Sequence, residues 1–231
     1  MTAPPPPRAS SSEGRVAGSS ASASAAERAY EHTKQAIIRG DLAAGTMTSE
    51  LLVCQQLGIS RTPVHEAFLR LAAEELLSLE SRKGAVVRPM SPNEARDVLE
   101  MREAIEAAAA ARVIAEGCPP ELISALGDLI AVQERALGGL DDRDADAFVE
   151  ADSAFHTAII TASGNFVAAH FARFLRDRQQ RLRHQLFRVR PEHFPAVVEQ
   201  HRLLAGALAA GDAPRYRAIL AEHVAGHGVT S

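Results

Sequence analysis

The sequence predicts a mainly α-helical protein, in which a winged helix-turn-helix domain is followed by an all-helical bundle of about six helices. Alanine and leucine recur throughout while aromatic residues make up only 4%, which favours helix-on-helix packing over a β-sandwich. Helix-period segments are separated by glycine and proline. We therefore divide the chain into a disordered tail (residues 1–24), a DNA-binding domain (25–90) and a helical sensor domain (91–231).

Composition limits the class of protein. The net charge of −4 does not indicate a nucleic-acid partner, so any case for DNA depends on local pattern. Cys54 and Cys118 form no CxxC pair, which disfavours disulfides and thiolate zinc sites. The longest apolar stretch, residues 104–115, is broken by Glu106 and Arg112, and no signal peptide is evident. We expect a cytoplasmic protein.

The first 24 residues are rich in proline, serine, alanine and glycine and contain almost no large apolar side chains that a core could bury. Arg8 and Arg15 are their only basic residues. A DNA-seeking arm is normally strongly basic, so we interpret this segment as a disordered tail.

The DNA-binding domain is predicted from three short helices and a hairpin. A first helix covers residues 25–39 and stops at Gly40, and a second covers 49–57 and stops at Gly58. Ser60 is expected to cap a third helix that carries Pro63 in its first turn. Strand-like runs at 76–80 and 85–88 flank residues 82–84, as in a β-hairpin wing.

The sensor domain begins with a long helix that opens at Ser91-Pro92 and reaches Glu116. Helices are then expected at residues 121–137, 144–162, 166–189, 192–210 and 214–227, separated by glycine or proline. Together they predict a six-helix bundle.

The third helix has the pattern of a recognition helix, which enters the major groove with its amino end first. Arg61 could read a guanine edge while Ser60 and Thr62 hold phosphates. The apolar face that would meet the core consists of Val64, Phe68 and Leu71. Lys83 at the wing tip would meet the DNA backbone or minor groove. A plain helical hairpin is the alternative interpretation.

The block Leu57-Gly58-Ile59-Ser60-Arg61-Thr62-Pro63-Val64, followed by Glu66-Ala67, resembles the "LGVSRTPVREAL" signature of GntR-family regulators with an FCD-type ligand-binding domain. The resemblance extends over about residues 29–223, and Gly84 matches the wing glycine. It implies an operator-binding protein. His65 stands where the family usually has arginine, which implies an altered base preference or a lost phosphate contact, and Glu75 stands where it usually has glycine.

A metal site is suggested by Asp152 and His156, which lie four apart on one predicted helix and so share a face. Alone, such a pair also fits a solvated helix surface. By resemblance, Asp152 and His156 match the family's "DxxFH", His201 its "HRxLLxAL" helix and His223 the histidine of its last helix. The resemblance therefore implies a divalent ion, and an Asp plus three His would suit zinc, nickel or manganese.

A small carboxylate effector is expected beside this ion. Arg102 resembles the arginine of the family's "RxxLE" and Asn165 the asparagine of its "SGN", so both are candidate effector-binding residues. Arg102 could instead form a surface ion pair, and Asn165 could simply cap a helix. The arginine-rich run at 173–190 is interpreted as a solvated face or dimer contact.

These patterns predict a homodimeric transcription regulator, a repressor, in which each recognition helix reads half of an inverted repeat and a carboxylate metabolite controls binding. A metal-dependent enzyme is the first alternative, but HExxH, GxSxG and phosphate-loop motifs are absent. A ligand-binding protein whose helix-turn-helix has decayed, as His65 and Glu75 suggest, is the second.

Overall fold

The computed structural model describes residues 23–80, 84–139 and 142–227, so Lys83 and nearly all of the expected tail lie outside the described residues. The fold class is confirmed: a helical protein with one small sheet. Within the described ranges the elements are α1 (Ala25–Arg39), β1 (Met47–Thr48), α2 (Glu50–Leu57), α3 (Arg61–Ala73), β2 (Leu77–Glu80), β3 (Gly84–Val87), α4 (Pro92–Glu116), α5 (Pro120–Ala136), α6 (Asp142–Ala162), α7 (Phe166–Val189), a 3₁₀ turn (Pro191–His193), α8 (Phe194–Ala209) and α9 (Ala213–Gly226).

Helix caps set the ends of the helix-turn-helix. The Ser49 hydroxyl accepts a hydrogen bond from the Leu52 backbone N–H at 3.2 Å, and α2 ends at Gly58 with φ of 64°. Ser60 occupies the N-cap position of α3, but its hydroxyl makes no capping hydrogen bond. The expected Ser60 cap is therefore wrong as a hydrogen bond, and this exposed hydroxyl stays available to another partner.

The wing is a three-stranded antiparallel sheet in the order β1-β3-β2. The two residues of β1 were not predicted, because a two-residue strand is too short to show the alternation of apolar and polar residues that marks a strand. Gly84 has φ of 109°, and a Cβ added there would lie 2.5 Å from the Thr48 carbonyl oxygen. Glycine is thus required where β1 and β3 approach closely.

The DNA-binding domain has its own apolar core, built where α1 packs on α3 and the wing. Val64, Phe68 and Leu71 are buried in it, as the helical spacing predicts. Glu75, just after α3, has φ of 62°, the left-handed conformation that favours glycine. The structure thus explains the glycine usual at this position in the resembled family.

The sensor domain packs α4 to α9 around a second, larger core. Phe148 packs against Phe187 and Phe194 at ring-centroid distances of 5.8 and 4.8 Å. Within the described ranges no helix is both long and apolar enough to cross a membrane.

Polar contacts of α6 and α7 join the two cores. Lys34 of α1 forms an ion pair with Asp177 of α7 at 2.6 Å, and Arg39 pairs with Asp146 of α6 at 3.2 Å. The Arg181 guanidinium donates to the Arg88 carbonyl at 2.6 Å, and Arg188 contacts Gly40 and Asp41. Arg181 and Arg188 of the arginine-rich run thus bind the first domain, a role that the interpretation as a solvated face or dimer contact did not include.

Candidate functional site

The residues predicted to contact DNA lie at the exposed start of α3. Ser60, Arg61, Thr62 and His65 are all exposed, and the Arg61 side chain is 83% accessible.

Glu50, which sequence reasoning missed, links two of these residues. Its carboxylate accepts from Arg61 Nε at 2.6 Å and lies 2.7 Å from His65 Nδ1. Burial raises the pKa of Glu50, but the contacts with Arg61 and His65 outweigh it, and the pKa lies below its usual range. The signal was an acidic residue directly after the α2 cap, facing the basic start of α3.

Asp152, His156, His201 and His223 meet inside the bundle, although they come from α6, α8 and α9. One ligand atom from each lies within 4.8 Å of all the others, and every side chain is buried. His156 Nε2 is 3.2 Å from His201 Nε2, and Asp152 Oδ1 is 3.5 Å from His201 Nε2. Tetrahedral zinc ligands at usual bond lengths are about 3.3 Å apart. The two shortest separations are close to this value, whereas Asp152 Oδ1 and His156 Nε2, at 4.0 Å, would have to move closer together to hold an ion.

Each imidazole has an oxygen on its outer side. His201 Nδ1 lies 2.6 Å from the Gln133 amide oxygen and His223 Nδ1 3.0 Å from the Gln200 amide oxygen, both in hydrogen-bond geometry. His156 Nδ1 lies 2.7 Å from Glu106 Oε2, but the two atoms are not aligned for a hydrogen bond. Because an oxygen acceptor calls for a proton on Nδ1, the Nε2 lone pairs point inward.

Burial keeps these imidazoles neutral, as coordination requires. It lowers the pKa of His201 to about 4, with the Arg102 and Arg183 charges acting in the same direction and Asp152 opposing them. Burial is also the main reason that the pKa values of His156 and His223 lie well below their usual range.

Asp152 is held by a second residue that sequence reasoning missed. Its Oδ2 forms a buried ion pair with Arg183 Nε, while Oδ1 faces the imidazoles and has no hydrogen-bond donor. Burial raises the pKa of Asp152, but the nearby cationic groups, Arg183 above all, lower it by more. The pKa of this carboxyl therefore lies below its usual range, and the group stays ionised. The available signal was the helical period, since Arg183 lies on the apolar stripe of α7 with Leu182 and Leu186.

Arg102 is buried beside the same atoms rather than on the surface. Its Nη2 donates to His156 Nε2 at 2.7 Å and to His223 Nε2 at 3.0 Å, while Nε donates to Glu106 at 2.8 Å. These hydrogen bonds use the lone pairs that a metal ion would need, so ion binding and the Arg102 contacts compete.

The donor set fits a divalent ion of borderline softness. It offers three inward imidazole lone pairs and a carboxylate oxygen without a donor, with oxygen acceptors behind each ring. An ion held there would supply positive charge at the edge of the adjoining cavity.

That cavity, of about 310 Å³, lies between α4, α6 and α7. Arg102 and His156 line it beside the buried Asp and His cluster, and Arg173 and Arg176 line it on α7. Asn165 is not among the lining residues, because its side chain caps α7 by accepting from the Ala168 N–H at 3.1 Å. The structure thus brings Arg102 to the candidate effector site but not Asn165.

Comparison with known proteins matches both domains. The model of bacterial regulatory proteins of the gntR family matches residues 25–87, and that of the FCD domain matches residues 97–226. An HTH-type transcriptional regulator in an unstable DNA locus of Streptomyces ambofaciens is 31% identical over 84% of this chain and 80% of its own length.

A probable D-xylose utilization operon transcriptional repressor of Paenarthrobacter nicotinovorans is 29% identical over 83% of this chain and 81% of its own length. The solved structure of E. coli McbR/YncC has a similar fold, with a TM-score of 0.72 and 24% identity over 88% of this chain and 95% of that one. The chain therefore belongs to the GntR family of bacterial regulatory proteins, with an FCD domain, and is a transcriptional regulator rather than an enzyme.

Proposed function

We propose that this regulator is a repressor whose operator binding is controlled by a small carboxylate bound at a metal-containing centre of the sensor domain. The observation that carries the proposal is the convergence of Asp152, His156, His201 and His223 beside a cavity that Arg102 also lines. Arg183 matches the charge of Asp152, but the Oδ1 atom that faces the imidazoles has no hydrogen-bond donor, and a buried acceptor without a partner is costly unless another group satisfies it.

The metal ion in this proposal is zinc, nickel or manganese. Its role is to place positive charge at the cavity edge, where it can bind a carboxylate. Because Arg102 donates to two of the same nitrogens, ion binding releases its Nη2 group. That group can then pair with the carboxylate in the cavity.

In the proposed DNA contact, Arg61 reads a guanine edge while Ser60 and Thr62 hold phosphates. His65 lies beside Arg61, and Gly84 begins the β3 strand of the wing that would follow the backbone. Lys83 stays a proposed contact with the DNA backbone or minor groove. Support comes from the exposure of the α3 start and from the free Ser60 hydroxyl.

The protein would act as a homodimer on an inverted repeat, because one small recognition helix makes few base contacts and two-fold symmetry doubles them. Repression is supported by the relative from Paenarthrobacter nicotinovorans, which is named a repressor.

Genomic footprinting with purified protein tests the proposal. We expect metal-loaded protein to protect a small set of inverted repeats, and carboxylate metabolites of the neighbouring genes to change that protection. Arg61→Ala should lose the protected sites, whereas Arg96→Ala, at an exposed position on α4, should keep them. If the unmodified protein protects no site, the helix-turn-helix has decayed and the proposal is wrong.

A further inference from the structure

The metal centre contains every fully buried formal charge in the described part of the chain. Arg102, Glu106, Asp152 and Arg183 are each at most 2% exposed. Glu106 accepts from Arg102 and Asp152 contacts Arg183, so the two cations and two carboxylates form two pairs. Histidine coordinates a metal ion in its neutral form, so the imidazoles add no charge and the four charged side chains have a net charge of zero.

A divalent ion changes this balance. The four proposed ligands include only one carboxylate, Asp152, whose charge is already matched by Arg183. Binding the ion therefore leaves two uncompensated positive charges in a buried site, and such charge is costly unless an anion accompanies it. A single carboxylate cancels only one of them.

The cavity rim carries a further cation. Arg176 is paired with Glu150 at 2.7 Å, but Arg173, which lines the cavity one turn earlier on α7, forms no ion pair with any described residue. The lining therefore has a buried cationic end at Arg102 and an unpaired arginine on α7. Ala172 and Ile105 line the same cavity and provide an apolar surface.

We propose that the effector is a dianion with two separate acidic groups, a small dicarboxylate, one group meeting Arg102 and the metal centre and the other meeting Arg173. The inference rests on the proposed function and specifies its ligand class. A dicarboxylate cancels the charge that the ion introduces, and it places its second group where the rim has an unpaired cation.

Calorimetric titration of zinc-loaded full-length protein tests this class. The probes are succinate and glutarate, compared with butyrate and valerate, which have the same carbon numbers and one acidic group. We expect the better dicarboxylate to bind at least about tenfold more tightly than its monocarboxylate counterpart. Equal affinities would overturn the inference and leave carboxylate sensing intact, with hydroxide or chloride as the second anion.

The Arg173→Gln variant tests the placement of the second group. It should weaken dicarboxylate binding about fivefold to tenfold and change monocarboxylate binding by less than about twofold. Arg96→Gln, at an exposed position outside the cavity lining, should change neither. Equal weakening of both ligand types by Arg173→Gln would overturn the two-group arrangement.

If zinc-loaded protein binds none of the four acids, both the proposed carboxylate sensing and this inference fail. Metal loading is measured separately by elemental analysis, so that result is distinguishable from a loss of the ion itself. A preference for dicarboxylates that persists unchanged in Arg173→Gln would likewise contradict the role of Arg173.

Discussion

Glu75 is a residue whose backbone conformation conflicts with its side chain. Its φ of 62° places a non-glycine residue in the left-handed region, which costs about 1 kcal/mol. Its ion pair with Arg88 at 3.1 Å is exposed and offsets little of that cost.

Glu75→Gly should therefore raise the free energy of unfolding by about 0.5–1 kcal/mol, because glycine adopts this φ without strain. Denaturant unfolding of the parent and the variant measures the change. Glu75→Ala serves as the control, since it removes the ion pair but keeps the strain, and it should give no gain. A variant less stable than the parent would contradict this explanation.

Arg61 is the residue on which base reading depends most in this account. Arg61→Ala should lower affinity for the footprinted operator about tenfold to a hundredfold. It should leave the melting temperature nearly unchanged, because the side chain is 83% exposed. Fluorescence anisotropy with operator and scrambled duplexes separates specific from non-specific loss. Unchanged operator affinity would remove Arg61 from the interface.

The residues of the candidate metal centre differ in how far the sequence could predict them. Asp152, His156, His201 and His223 lie in recognisable motifs, so the resemblance implied all four. Glu106 and Arg183 were missed because their roles depend on which helices pack together. The helical spacing of buried residues shows which face of a helix is buried, but not which helix it packs against. Glu50 was missed for the same reason.

At the scale of elements, α7 connects the sensor centre to the DNA-binding domain. In its last third Arg183 contacts Asp152. Earlier on the same helix Asp177 and Arg181 contact Lys34 and Arg88. A change at the centre that shifts α7 would therefore act directly on contacts with the first domain.

Asp177→Asn should uncouple the two domains, because it weakens the ion pair with Lys34 without touching the ligand set. We expect unchanged metal and carboxylate affinity, together with a smaller effect of the carboxylate on operator binding. Asp128→Asn, at an exposed position on α5, is the matched control. An undiminished carboxylate effect in Asp177→Asn would show that coupling runs through other contacts.

Element boundaries were predicted well where caps mark them and less well elsewhere. Helix α1 and helix α7 begin and end as predicted, since Gly40, Asn165 and Pro191 bound them. Residues 192–210 were predicted as one helix, but a 3₁₀ turn comes first and α8 starts at Phe194, with Pro195 in its first turn. No local sequence pattern predicted the contacts between the two domains.

For the whole molecule, the buried histidines make stability depend on pH. Burial lowers the pKa of His201 to about 4 and that of His227 to about 3, whereas an unfolded histidine titrates near 6.5. The unfolded state of metal-free protein therefore takes up protons first as the pH falls below about 6.5, and stability is lost from there toward the folded values.

Lowering the pH from about 6.5 to about 5 should lower the free energy of unfolding by about 1–2 kcal/mol for each such histidine. Denaturant unfolding of metal-free protein across this range measures the slope. A His227→Gln variant should show a shallower slope, because it removes one of these groups while leaving the four proposed ligands in place. Stability independent of pH in this window would contradict the buried, neutral histidines described here.

The metal content of protein purified without a histidine tag tests the central claim most directly. After incubation with zinc, nickel or manganese and removal of free ion, elemental analysis should find about one ion per chain. The His156→Ala/His201→Ala variant should retain almost none, while His32→Ala, at an exposed position on α1, should match the parent. A folded parent protein that retains none of the three metals would contradict the account, and the buried set would then be only a polar cluster around Arg102.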